Sequence, residues 1–412
     1  MPSFCYKLVS MFHKFFPPPL HSTFPPTPRR SRQQRLQPIH RLPPEILSRI
    51  FVAAAESDPS DATTDLIPFT LSQVCRIWRL IALHTPALWR RIPIVVVHSN
   101  MDGQQNLIHA RVLRARSSPL DVCLRPNRAM RVWGWVRPVS QRLDGQNVDR
   151  LMKNLAVQAH RWRSFEIEIF STNAEPRMAS AALSSLRWAP RALWLESMKL
   201  VFRDNEDATE FYLFSGFAPR LNRLVLDGIR IAWLPTFVGM LTFLDYRHHA
   251  FSDGEKAAAE LLHALRACPA LRELRVLFPD RPALLPPSSK IKTLARPLPA
   301  ILRRLSSLHL LVDGSEIPRA MLHLLSSLRM PALRTLELVD LARHRKPFPN
   351  LRAFQRVCPC SYEVMRITGQ YGFAENGRHF VNYPEKRLVH FAPVMRKPHG
   401  RVESGRSESR RA

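Results

Sequence analysis

The chain has 412 residues, 45% of them apolar, which is enough for more than one domain and a sizeable buried core. No run approaches the ~18 consecutive apolar residues that a membrane span needs. The six cysteines are scattered apart from Cys358-Pro-Cys360, which points to a reducing compartment, cytoplasmic or nuclear, and to no disulfide framework. Formal net charge is +28, nearly all arginine, since only ten of the 61 basic residues are lysine. Such a field attracts acidic partners and nucleic acid non-specifically, unless the arginines simply populate solvated faces.

Residues 1–44 hold ten of the 36 prolines and seven basic residues, with no acidic one. Pro17-Pro18-Pro19 ends any helix begun at Phe4–Phe16, leaving less amphipathic helix than a mitochondrial presequence requires. We read 1–40 as a disordered Pro/Arg-rich tail.

Residues 41–92 read as three short helices. Pro43 and Pro44 open the first, where a missing N–H costs nothing, and Glu45 sits near the positive end of its dipole. Ile46, Leu47, Ile50, Phe51 and Ala54 then recur at helical spacing. Thr70-x-x-Gln73 has the capping-box pattern and predicts the start of a second helix running to Thr85. Pro86 begins a third, carrying Leu88 and Trp89. On the second helix Leu71, Val74, Cys75, Trp78, Ile81 and Ala82 form one stripe, while Ile77, Leu80 and Leu83 make the remainder apolar too. A helix apolar nearly all round is covered on two sides. At roughly 1.5–3 kcal/mol for each large side chain left wet, the second wall comes from the downstream chain or from another protein.

The order Leu42-Pro43-x-Glu45-Ile46-Leu47-x-x-Ile50-Phe51, Val74-Cys75-x-x-Trp78-x-x-Ile81-Ala82, Pro86-x-Leu88-Trp89 resembles the F-box. The resemblance covers about an eighth of the chain. It implies a non-catalytic module that docks to the Skp-type linker of cullin–RING ubiquitin ligases while the rest of the chain selects a protein target. The linker-binding residues it implies are Leu42, Pro43, Ile46, Leu47, Ile50, Val74, Trp78, Leu88 and Trp89, some of which must instead form the module's own core. The Ser57–Phe69 connection is longer than the family's usual turn.

From Ile94–Val97, read as a first strand, one pattern recurs over 93–360: helix, proline, then Leu-x-x-Leu-x-Leu. Clear copies are Pro219-x-Leu221-x-x-Leu224-x-Leu226, Pro269-x-Leu271-x-x-Leu274-x-Val276 and Pro331-x-Leu333-x-x-Leu336-x-Leu338. Weaker ones begin at Trp162, Leu193, Leu241 and Leu305, with a degenerate last copy at Pro349-x-Leu351-x-x-Phe354. Helices are expected at Met178–Trp188, Glu255–Ala267 and Pro318–Leu328. Pro279–Pro299 interrupts the array. Repetition of this kind suits units that bury their leucines by stacking, and the strand element looks like a leucine-rich repeat. The fold class expected is therefore mixed α/β: a three-helix F-box followed by an irregular leucine-rich-repeat-like solenoid. The alternative is a non-repeating α/β domain with Leu-rich strands. Alternation along each strand would present Ala192, Trp194 and Glu196; Arg223, Val225 and Asp227; Glu273, Arg275 and Leu277; Ser307, His309 and Leu311; and Thr335, Glu337 and Val339. Trp194, Arg223 and Arg275 are the anchor candidates for a protein target, because Trp and Arg dominate interface energies. Residues 361–412 read as a basic, partly disordered tail.

No motif carries chemistry. With 13 glycines the chain has neither G-x-G-x-x-G nor a P-loop, and it has no G-x-S-x-G or H-E-x-x-H. His248-His249 and Cys358-x-Cys360 lack further ligands at metal spacing, and Asp58-Pro-Ser-Asp61 reads as a turn. The expectation is a substrate adaptor of an SCF-type ligase, not itself an enzyme, without cofactor or metal. Its partners would be a Skp-type linker, through it a cullin, and an unknown protein target, with no membrane. An F-box scaffold outside a ligase is the first rival, and a basic nucleic-acid-associated protein is the second.

Overall fold

The computed structural model describes residues 38–56, 64–95, 101–125, 145–169, 177–202, 205, 209–247, 254–278, 299–342, 348–358, 364–369 and 389–391. The expectations for the 1–37 part of the leading tail, the Asp58–Asp61 turn, His248-His249, Cys360, the proline-rich interruption up to residue 298 and most of the trailing tail lie outside them. The chain divides into two compact units, 1–241 and 242–412.

The first unit starts with helices. Helix α1 (Pro44–Glu56) begins on the Pro43 carbonyl, which accepts from Ile46 N at 3.0 Å and Leu47 N at 3.1 Å, and it buries Leu47 and Phe51. The single helix expected over 70–85 is instead two, α2 (Ile67–Val74) and α3 (Arg76–Leu83), broken at an extended Cys75. Pro68 in the first turn starts α2 earlier than the capping-box pattern indicated. The Thr70 hydroxyl donates back to Leu66 O at 3.2 Å and caps nothing. The cap that does form is a thiol: Cys75 Sγ accepts from Trp78 N at 3.4 Å. A 3-10 turn at Thr64–Leu66 precedes α2. The third helix is a single 3-10 turn, Pro86–Trp89.

Strand β1 (Arg91–Val95) comes directly after it, three residues earlier than expected. Helix α4 (Met101–Arg114) leads to β2 (Leu120–Arg125), and α5 (Gly145–Ala156) leads to β3 (Trp162–Ile169). Helix α6 (Met178–Leu183), extended by a 3-10 turn to Trp188, precedes β4 (Ser197–Phe202), and β5 (Arg223–Asp227) is the next strand. Pairing is parallel throughout and follows chain order, β1-β2-β3-β4-β5. Leu193–Leu195 is not a strand. The buried residues there are Leu195, Met198 and Leu200, and a methionine where the pattern looked for leucine hid the strand.

The second unit repeats the scheme. Strand β6 (Phe243–Arg247), helix α7 (Gly254–Arg266), β7 (Glu273–Leu277), β8 (Ser307–Val312), helix α8 (Arg319–Ser326), β9 (Thr335–Asp340), helix α9 (Leu351–Val357) and β10 (Val364–Gly369) run in order. Strands β6 to β10 pair in parallel and in chain order, with Val389–Phe391 added antiparallel at the end. Pro349–Phe354, expected as a last strand, belongs to α9. Asn350 holds its start by accepting from Ile317 N at 3.1 Å and donating to Ile317 O at 2.8 Å. In β8 and β9 burial alternates strictly, so Leu308, Leu310, Leu336 and Leu338 face the core and their neighbours face outward. The molecule is thus mixed α/β, with helices near the N-terminus followed by parallel sheet.

Candidate functional site

Two kinds of surface emerge in the first unit. The helical module splits the nine residues expected at a linker into two sets. Leu47, Leu88 and Trp89 are buried in its interior, with Trp89 fully enclosed and its Nε1 donating to Ala82 O at 2.8 Å. Trp78 packs on Phe51 with ring centroids 4.9 Å apart. Leu42, Pro43, Ile46, Ile50 and Val74 are exposed, and so are Ile77 and Leu80, which the pattern had marked as surplus apolar groups. Val74, Ile77 and Leu80 each keep more than half of their surface in water. A folded module that leaves this many large aliphatic groups wet is incomplete by itself.

Two arginines of α4, which no sequence pattern singled out, clamp the module to the strands. Phe69 meets Trp89 edge-on at 5.1 Å. The Arg111 guanidinium lies 4.9 Å over Phe69, and that of Arg114 lies 4.4 Å over Trp89. Arg111 is 2% exposed and donates to Arg91 O at 2.8 Å and to Asp65 O. Burial lowers its pKa to about 10, partly offset by Asp65, so it stays charged at neutral pH. Arg90 reaches both Glu56 and Asp121, and Arg91 pairs with Asp65 at 3.1 Å. Helix α4 and β1 are therefore fastened to the module by charge and stacking together.

The strands present a polar face. In the first unit Asp121 accepts two bonds from Arg163, at 2.9 and 2.6 Å, and Lys199 pairs with Glu168. Burial opposes the Arg163 charge, but the bonded Asp121 carboxylate more than compensates and raises its pKa. A cleft of about 460 Å³ opens here, lined among others by Glu56, Arg90, Asp121, Cys123, Arg163, Glu166, Glu196 and Arg223. In the second unit Arg275 bonds Glu273 at 2.7 Å and lies 5.1 Å over Phe243, while His309 Nδ1 is 2.7 Å from Glu337. Of the three anchor candidates, Arg223 and Arg275 start or line strand faces as expected. Trp194 does not: it is half-exposed in the loop before β4, beneath Arg220. Ala192, expected beside it on the open face, is fully buried.

Among the described residues no three His, Cys, Asp or Glu side chains are grouped to hold a metal, and no helix is long and apolar enough to cross a membrane. The described cysteines are free thiols, and burial pushes Cys268 and Cys358 up to about 12, where they are poor nucleophiles at neutral pH.

An F-box-like family model matches residues 39–94, from the turn ahead of α1 into β1. No curated protein matches the chain.

Proposed function

We propose that the protein is a substrate-recognition adaptor of an SCF-type ubiquitin ligase. The observation that carries this is the coincidence of the F-box-like match at 39–94 with a row of wet aliphatic side chains, Leu42, Ile46, Ile50, Val74, Ile77 and Leu80, on that same segment. F-box modules bind Skp-type linkers, and a linker would supply the missing wall. On this reading the exposed residues and Pro43 meet the linker, while Leu47, Trp78, Leu88 and Trp89 shape the module from within. The parallel strands, read as an irregular leucine-rich-repeat array, hold a protein target with their open faces. Catalysis then belongs to the assembled partners and works by proximity. Mixed charge on the strand faces favours a protein over a nucleic acid, since a phosphate backbone would meet Asp121, Glu166 and Glu168 there.

Affinity purification of the full chain beside a Leu42→Ala/Pro43→Ala variant and an Ile46→Asp/Ile77→Asp variant tests this. Wild type is expected to bring down a Skp-type linker with a cullin, and both variants are expected to lose it with the fold intact. Linker without cullin would favour a scaffold outside a ligase. Failure of wild type to capture any linker defeats the reading.

A further inference from the structure

Trp188 is 80% exposed, the highest value of any large apolar side chain among the described residues. It belongs to Arg187-Trp188-Ala189-Pro190-Arg191-Ala192-Leu193-Trp194, a segment with two arginines, two tryptophans and no acid. The loop packed against it, Phe211–Asn222, also lacks any acidic residue and carries Arg220. Hydrogen bonds join the two: Ala192 N donates to Phe217 O at 3.1 Å, and Ser215 Oγ to Ala189 O at 3.2 Å. Across this joint two guanidiniums lie over rings, Arg191 over Phe217 at 5.3 Å and Arg220 over Trp194 at 4.0 Å, and within the first segment Arg187 lies over its neighbour Trp188 at 5.0 Å. Leu193, Trp194 and Tyr212 are also exposed.

The platform is held rigid at a cost in backbone strain. Phe214, Ser215 and Gly216 take successive positive φ angles of 51, 53 and 69°, a conformation that two non-glycine residues adopt only when the surroundings force it. Phe214 is fully buried against Phe165 and Trp162, which anchors the turn. A Cβ on Gly216 would come within 2.6 Å of Leu234 and of Tyr212. A guanidinium that lies over a ring keeps its charge and its fork of N–H donors for an anion.

We propose that this Arg/Trp platform is a docking site for a short acidic segment of a protein target, with aromatic or aliphatic side chains packing on Trp188 and Trp194 and carboxylates meeting Arg187, Arg191 and Arg220. Charge complementarity sets the class of partner. Three arginines, Arg187, Arg191 and Arg220, belong to these two segments, and neither segment contains an acid. The surface turns mixed immediately beyond: Glu196 lies two residues past Trp194, and its carbonyl accepts from Asn222 N and Arg223 N at 3.0 and 3.1 Å. Glu166 and Asp121 come next along the cleft. A long polyanion leaving the platform would run onto those carboxylates, whereas a peptide acidic over one short stretch would not. The inference rests on the adaptor reading only for the identity of the bound protein as a target.

Fluorescence anisotropy at physiological salt tests it on the full chain, using a labelled Glu-rich peptide containing one Phe, its Gln-for-Glu analogue, and a single-stranded oligonucleotide of equal charge. The Glu-rich peptide is expected to bind and the Gln analogue not to. Arg187→Glu/Arg220→Glu and, separately, Trp188→Ser should each weaken binding by roughly tenfold or more, as removal of an Arg or Trp anchor does. Arg303→Glu/Arg304→Glu, the same charge change on exposed residues of the other unit, should leave it nearly unaltered. Equal weakening by that control would reduce the effect to general charge and overturn the proposal. So would unchanged affinity in Trp188→Ser, no peptide binding, or tighter platform-dependent binding of the oligonucleotide. Linker capture by the same variants reads the adaptor function independently, because the platform lies outside 39–94.

Discussion

The outer face of the helical module and the open faces of the strands are both accessible, yet they are built from opposite materials. On the module the exposed groups include a set of large aliphatic side chains, Leu42, Ile46, Ile50, Val74, Ile77 and Leu80. On the strands the outward side chains are charged and largely partnered at home, as Asp121 is by Arg163, Glu168 by Lys199 and Glu273 by Arg275. The first kind of surface gains free energy from almost any apolar cover of matching shape. The second gains only from a partner that replaces or extends the existing bonds, because stripping water from a paired charge returns little by itself. On the proposed reading, a general connector and a selective reader are thereby separated within one chain. The Arg111 and Arg114 clamp joins the first to the strand order that carries the second.

If the module's interior and its outer face have separate tasks, an interior substitution should act through stability. Trp89→Ala removes a fully enclosed indole, its bond to Ala82 O and the surface under Arg114. We expect a loss of about 4 kcal/mol in urea denaturation, with linker capture falling only because the module unfolds. A stable Trp89→Ala protein that still lost the linker would place Trp89 in the contact instead and erase the distinction. The clamp comes next. Arg111→Met keeps an unbranched stem but removes the guanidinium over Phe69 and its bonds to the carbonyls of Asp65 and Arg91. The expected cost is roughly 2–3 kcal/mol, read by the same denaturation. A cost near zero would mean that desolvation of Arg111 already cancels its bonds, and that the module is less firmly tied to β1 and α4 than the geometry indicates.

The sequence made the module legible because its signal is dense. Proline at a helix start, apolar spacing and the Leu-Trp pair all survive as structure, with Pro44, Leu47, Phe51, Leu88 and Trp89 in the places their types favour. It missed the break at Cys75, because a thiol cap has no recognisable side-chain signature and no glycine or proline marks the stop. Strands appeared where Leu-x-x-Leu-x-Leu was intact, at Leu224, Leu308 and Leu336, and where valine took its last place, at Leu274. They slipped where Met198 replaced a leucine, and Phe354 supplied a false copy inside a helix. Arg111, Arg114 and the Arg/Trp platform were invisible for a different reason: each depends on residues brought together from distant segments, and in a chain with 61 basic residues no single arginine stands out.

The smallest expected effect is the sharpest test of the strand face. Glu337 accepts from His309 Nδ1 at 2.7 Å, and Glu273 Oε1 stands 3.6 Å from the other ring nitrogen. All three side chains keep between about a fifth and a third of their surface in water, so solvent screens the charges and a pair of this kind contributes about 1 kcal/mol at most. Glu337→Gln preserves shape and still offers an oxygen to the ring. Stability should therefore shift by less than about 1 kcal/mol, and linker capture should be unchanged. Within the comparison this is the counterpart of Trp89→Ala, a change that leaves the scaffold alone and alters only what the face offers. A loss of about 2 kcal/mol or more, beyond what a screened pair supplies, would make the His309 network part of what holds β7, β8 and β9 together. The outward row of that sheet would then be structural, and recognition would have to lie in the loops, as it is proposed to do at Trp188 and Trp194.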